Sequence, residues 1–183
     1  MNADGGDSLM SLFEAFLAEP TAERFLALRD VVSALPDYEP YGPWLSDAWE
    51  LFDAGRFEAA RDYLQSLMPN WLLSPRAHAL LSFAHSKAGH SAKAKAEMWV
   101  SAQLLESILS TGDGSEERPY LVLQTADEYH VLEHLGKTAQ QQSLVPKGEG
   151  LCYDKQACAD GDVVWFDVSP LFASLARKQA QPS

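Results

Sequence analysis

Cysteine, basic residues and long apolar runs are all scarce in this sequence of 183 residues. Its two cysteines, Cys152 and Cys158, are too few for a disulfide-stapled secreted domain and fit a reducing compartment. No apolar run approaches the roughly 18 residues needed to cross a bilayer, which argues against a membrane-spanning protein. Only 14 Lys and Arg stand against 26 Asp and Glu, a net charge of -12. Because so acidic a chain repels phosphate backbones, we expect no nucleic-acid partner and no membrane partner.

The N-terminal residues have neither the basic stretch nor the apolar stretch of a secretory signal. Together with the two cysteines, this absence predicts a cytoplasmic protein, and the lack of other targeting marks favours a bacterial one.

The acidic charge is concentrated near the N-terminus. Residues 1–62 contain 13 acids and 4 bases, whereas residues 63–109 contain 2 acids and 4 bases. Residues 110–183 contain 11 acids and 6 bases. The N-terminal part is therefore the first candidate for contact with a basic partner.

Apolar residues recur every three or four positions from residue 8 to residue 110, which indicates amphipathic helices. Pro20 ends the first helix, and a proline-rich linker follows the second at residues 36–43. Four further helices are predicted at 44–54, 57–68, 76–88 and 92–109.

These four helices contain an internal repeat. Gly55 and Gly89 are 34 residues apart, as are Ala60 and Ala94. A helix–turn–helix of this period, with glycine at the turn and a small residue after it, resembles the tetratricopeptide repeat over residues 44–109. An unrelated helical bundle remains the alternative, since His85 stands where an aromatic is expected and Pro69 comes early.

The pattern changes after residue 110. Short strand-like runs at 120–124, 143–145, 151–157 and 163–168 surround a predicted helix at 126–135, and a last helix follows at 170–178. Asp160-Gly161 between two of these runs indicates a β-hairpin.

Several short phrases here resemble a bacterial family, domain of unknown function 4919, over residues 105–175. They are Ser110-Thr-Gly-Asp-Gly, Asp127-Glu-Tyr with Leu132 and Leu135-Gly136, Gln142-Ser-Leu, and Trp165-Phe-Asp-Val-Ser with Phe172. The resemblance implies a compact α+β module and brings no catalytic residue.

These patterns together predict a mostly helical α+β fold. We expect a helical, repeat-like region at residues 1–109, followed by a small α+β module at residues 110–183 that packs on it.

One string has the spacing of a catalytic motif. His130, Glu133 and His134 match H-x-x-E-H, in which two histidines on one helix face hold zinc and the glutamate activates a water. Only turn acids are available downstream as a third ligand, so the alternative is a pair of exposed histidines on an amphipathic helix. We expect no metal and no cofactor.

Aromatic and acidic residues occur together before and within the first repeat, a combination typical of binding surfaces. If the repeat register holds, the first helices of the two repeats also line a shared groove that solenoid proteins use for peptides. The candidate partner-binding residues are Tyr38, Tyr41, Asp47, Trp49, Glu50, Phe52, Asp53, Trp71, Phe83 and Lys87. For Tyr38, Tyr41 and Trp71, packing within the fold is an equal alternative.

The sequence thus favours a non-enzymatic protein that binds another, basic protein. The most specific hypothesis is an inhibitor of immunity or antitoxin type for a cationic bacterial toxin, since charge complementarity speeds such association. An adaptor or chaperone for secreted proteins and a zinc-dependent hydrolase are the alternatives.

Overall fold

The computed structural model describes the backbone of residues 4–180 and the side chains of residues 9–177. Within this range the chain forms eight helices and four strands. The helices are α1 (Asp4–Ala18), α2 (Ala22–Ser33), α3 (Trp44–Asp53), α4 (Phe57–Ser66), α5 (Pro75–Lys87), α6 (Ser91–Ser110), α7 (Thr125–His134) and α8 (Ser169–Ala180). The strands are β1 (Tyr120–Leu121), β2 (Ala139–Gly148), β3 (Leu151–Cys158) and β4 (Val163–Asp167).

Helix boundaries follow local side-chain chemistry. Thr21 caps α2 by accepting a hydrogen bond from the backbone N–H of Arg24, and Ser74 caps α5 by accepting one from that of Ala77. Gly55 and Gly89 follow α3 and α5 with positive φ angles of 68° and 81°. Because glycine reaches this left-handed conformation without a steric cost, both helices end where the repeat pattern predicts.

The four strands form one mixed sheet in the order β1-β4-β3-β2. Strands β2, β3 and β4 pair antiparallel, and the hairpin predicted at Asp160-Gly161 joins β3 to β4. Strand β1 pairs with β4 in parallel, with Tyr120 opposite Phe166. Strand β2 therefore lies at one edge of the sheet.

A large apolar core joins the first two helices to the sheet. It contains buried residues of α1, α2, α6, α7, β1, β3, β4 and α8, such as Phe16, Phe25, Leu104, Phe166 and Leu171. A smaller core lies among α3, α4 and α5.

The predicted fold class is confirmed: the chain is a mostly helical α+β protein. Strand β2 is longer than the predicted 143–145 because Gln140, Gln141 and Gln142 belong to it. These three side chains are exposed, so they give none of the apolar alternation by which a strand is recognised. Strand β1 is shorter than predicted, and the boundary at residue 110 stays a prediction.

None of the helices within residues 4–180 combines the length and the apolar character needed to span a bilayer.

Candidate functional site

Aromatic side chains from α3, α4 and α5 form one continuous surface. The rings of Trp49 and Phe52 meet edge to face with centroids 5.5 Å apart, and Phe52 meets Phe83 at 5.1 Å. Phe57 approaches Phe83 from the start of α4, at 6.4 Å. We call Trp49, Phe52, Phe57 and Phe83 the aromatic face.

The two ends of the aromatic face are open to solvent. Trp49 is 41% exposed and Phe83 is 38% exposed, whereas Phe52 between them is 6% exposed. The ammonium group of Lys87 lies 5.3 Å from the centre of the Phe83 ring, within the range of a cation–π interaction. The chain thus brings four residues of the predicted contact set, Trp49, Phe52, Phe83 and Lys87, into one place.

Acidic residues border this face. Glu50 and Asp53 are exposed on α3, and Asp53 is one helical turn beyond Trp49. Asp47 is half-buried and accepts a hydrogen bond of 3.0 Å from the Tyr63 hydroxyl. Burial and this carboxylate raise the pKa of Tyr63 to about 12. Glu50 and Asp53 are therefore the predicted acids that remain open to a partner.

Two residues of the predicted contact set, Tyr38 and Trp71, are instead buried and present no surface to a partner. The Tyr38 hydroxyl donates a hydrogen bond of 2.5 Å to the Leu123 carbonyl, and its side chain is 1% exposed. Trp71 is 4% exposed and packs on Trp44, with ring centroids 4.0 Å apart. Tyr38 belongs to the large core and Trp71 to the smaller one, so both side chains pack within the fold. Phe52 is also buried, and contributes to the face only as the support between Trp49 and Phe83.

The family model for Domain of unknown function (DUF4919) matches residues 47–177. The chain belongs to this family. The match begins within α3 and ends within α8, so it includes the aromatic face as well as the predicted range 105–175. Neither the curated proteins nor the solved structures include a match to this chain. The DUF4919 match says nothing of the tetratricopeptide-like repeat, which stays a prediction.

The H-x-x-E-H residues of the DUF4919 region lie on α7 with other partners. Glu133 forms an ion pair of 3.1 Å with Arg76, and Glu133 and His134 are exposed. His130 is half-buried, and burial lowers the pKa of its imidazole. Among the side chains that the structure describes, no three His, Cys, Asp or Glu residues are grouped closely enough to hold a metal ion.

Sequence reasoning missed three buried acids, Asp127, Glu128 and Asp154, which are 1%, 0% and 4% exposed. Burial raises the pKa of Asp127 to about 7 and that of Glu128 well above its usual range. The first two sit in the first turn of α7, where acids are expected for the helix dipole. Asp154 was detectable: it occupies an inward position of β3, between Cys152 and Gln156.

Tyr41 lies near two of these acids, Asp154 and Glu128, and is not part of the aromatic face. It is half-buried and lines a cavity together with Asp154, Gln142 and Phe172.

Proposed function

We propose that this DUF4919 protein is a non-enzymatic binding protein whose partner docks on the aromatic face. The observation that carries the proposal is the pair of exposed rings, Trp49 and Phe83, joined through the buried Phe52. Large aromatic side chains on a rigid support contribute most of the affinity in protein interfaces, because they bury much apolar area at little entropic cost.

We propose a basic partner on the ground of charge. The net charge is -12, and Glu50 and Asp53 border the exposed rings. Acidic groups around an apolar centre attract a cationic protein during diffusion and oppose an acidic one. An inhibitor of a basic toxin needs this combination of fast association and specificity, and we rank it before an adaptor for secreted proteins.

Site-specific photo-crosslinking tests the docking site. The photoreactive residue p-benzoylphenylalanine is placed at Phe83 in one variant and at Trp99 in the control; Trp99 is an aromatic of α6 that is 46% exposed. We expect a discrete adduct with a basic protein from the Phe83 position and none from the Trp99 position. Adducts of equal yield at both positions, or an acidic partner, would contradict the proposal.

Charge reversal tests the electrostatic part on the partner so identified. Replacing Glu50 and Asp53 by lysine should slow association several-fold at low salt and flatten its salt dependence. The matched control replaces Glu106 and Glu117, two exposed acids elsewhere, by lysine. Stopped-flow association rates that fall equally in both variants would show that only net charge matters and that the acids beside the aromatic face have no special part.

A further inference from the structure

A cavity of 340 Å³ lies where the proline-rich linker and α8 meet strands β2 and β3. Its apolar lining comes from Leu144, Val168, Leu171 and Phe172, and its polar lining includes Tyr41, Gln142 and Asp154. Leu144 and Gln142 are exposed at its mouth, whereas Asp154 is 4% exposed. The volume is that of a small-molecule site.

Asp154 is the carboxyl that lines this cavity, and it interacts with a second carboxyl, that of Glu128, outside the lining. Asp154 accepts a hydrogen bond of 2.5 Å from the Gln142 amide. Glu128 is 0% exposed and accepts a hydrogen bond of 2.8 Å from the Gln156 amide through Oε2. Its other oxygen, Oε1, has no hydrogen-bond donor among the described residues.

Among the side chains described, no Lys, Arg or His lies within ion-pair distance of Asp154 or Glu128. The groups that face the pair are acidic or neutral: Asp127 beside Glu128, and Tyr41 and Cys152 beside Asp154. Burial, together with the nearby charge of Asp154, raises the pKa of Glu128 well above its usual range, so Glu128 holds a proton.

We propose that this cavity binds an organic cation, a primary ammonium or a guanidinium on a short apolar stem. The cationic end contacts Asp154, and the stem packs against Leu171 and Phe172. A buried carboxylate at the end of an apolar cavity favours such a cation because the charge pair is shielded from water. The cation is a free amine or the side chain of a lysine or arginine on another protein. This site is separate from the aromatic face and does not depend on the function proposed there.

Binding of a cation is coupled to loss of the Glu128 proton. When the ammonium group reaches Asp154, its positive charge favours the ionised form of Glu128 behind it, and the Glu128 proton leaves for the solvent. Affinity therefore increases with pH until Glu128 has lost its proton in the free protein as well.

Calorimetric titration of the full chain tests the site with n-butylammonium and n-butylguanidinium, and with 1-butanol as the neutral isostere. We expect dissociation constants in the millimolar range for the cations, and proton release that appears as a dependence of the heat on the buffer. An N-acetylated Gly-Lys-Gly amide distinguishes the sources: tighter binding than n-butylammonium identifies a protein side chain, and equal or weaker binding a free amine.

Two variants and a control show which residues bind the cation and which release the proton. Asp154→Asn should weaken cation binding roughly tenfold or more, whereas Glu106→Gln, at an exposed acid of α6, should leave it unchanged. Glu128→Gln should keep the binding and abolish the proton release, a change that a merely structural role would not produce. Equal affinity for 1-butanol and n-butylammonium, full binding by a folded Asp154→Asn variant, or no binding by any cation would overturn the proposal.

Discussion

Asp127 connects two helices that are distant in sequence. One of its oxygens accepts a hydrogen bond of 2.6 Å from Ser74 and a longer one of 3.4 Å from the backbone N–H of Arg76, at the start of α5. Its other oxygen, Oδ2, is buried without a hydrogen-bond partner among the described residues. A buried acceptor that lacks a donor favours the protonated acid, and burial raises the pKa of Asp127 to about 7 for this reason.

This pKa predicts the pH dependence of stability. An aspartate of the unfolded chain titrates near pH ~4, so the folded chain holds the extra proton between about 4 and about 7. The free energy of unfolding should therefore fall as the pH rises through this window. Asp127→Asn keeps an acceptor for Ser74, and should reduce that fall by roughly 2–4 kcal/mol between pH 4 and pH 8. Urea unfolding at both pH values measures it, and parallel curves for the two proteins would contradict it.

Trp49 and Trp44 are close in sequence but differ in environment, since Trp49 is 41% exposed and Trp44 is 5% exposed. Trp49→Ala should weaken partner binding by about 2 kcal/mol, mainly through faster dissociation, and leave the melting temperature nearly unchanged. Trp44→Ala should destabilise the fold by about 3–5 kcal/mol. Thermal unfolding beside surface plasmon resonance separates the two effects; a Trp49→Ala variant that melts like Trp44→Ala would assign Trp49 to the core.

At the scale of elements, the loop between α6 and β1 is closed by its own backbone. The N–H groups of Asp113 and Gly114 both donate to the Arg118 carbonyl, and the Trp165 N–H of β4 donates to the Gly114 carbonyl. Gly112 allows this close approach, because a Cβ atom there would lie 2.3 Å from the Arg118 oxygen and 2.5 Å from the Pro119 oxygen.

Gly112→Ala should therefore destabilise the protein by about 3 kcal/mol, since backbone atoms have to shift. Gly161→Ala is the matched control: its φ is +91° and no atom lies within 4 Å of the added carbon, so it should lose only about 1–2 kcal/mol. Chemical denaturation of both variants gives the comparison, and equal losses would show that the contact at Gly112 is relaxed at little cost.

The sequence predicts most helices of this chain because their apolar periods, glycine caps and proline breaks are local. The contact set predicted from the sequence also includes Trp49, Phe52 and Phe83, whose rings meet in the aromatic face. The cavity is different: Tyr41, Gln142, Asp154 and Phe172 come from four separate elements, and only tertiary packing brings them together. The exposed glutamines of strand β2 likewise lack the apolar alternation by which a strand is recognised.

At the scale of the molecule, the DUF4919 match leaves α1 and α2 outside it, although both contribute to the large core. Phe16 and Phe25 are 0% and 2% exposed there, and α2 packs on α6 and α8. We therefore expect the matched range to need α1 and α2 in order to fold.

A fragment of residues 47–177 should show no cooperative unfolding transition, because the loss of these helices opens the core of a marginally stable domain. Two point variants of α1 test whether the loss of core packing is the cause. Phe16→Ala should lower the free energy of unfolding by about 3–5 kcal/mol. Met10 is 47% exposed on the same helix, so Met10→Ala should lower it by less than about 0.5 kcal/mol. Circular dichroism during chemical denaturation measures the unfolding of the fragment and of the two variants. A fragment that unfolds cooperatively would contradict the expectation.

The long reach of the large core has a consequence during synthesis of the chain. Phe25 of α2 packs in the same core as Leu171 of α8, and Ser174 donates a hydrogen bond to the Tyr38 carbonyl. At ribosomal speeds of about 5–20 residues per second, these partners emerge roughly 7–30 s apart. During that interval the nascent chain carries the apolar sides of α1 and α2 without their cover, whereas α5 and α6 can pair as soon as both have left the ribosome.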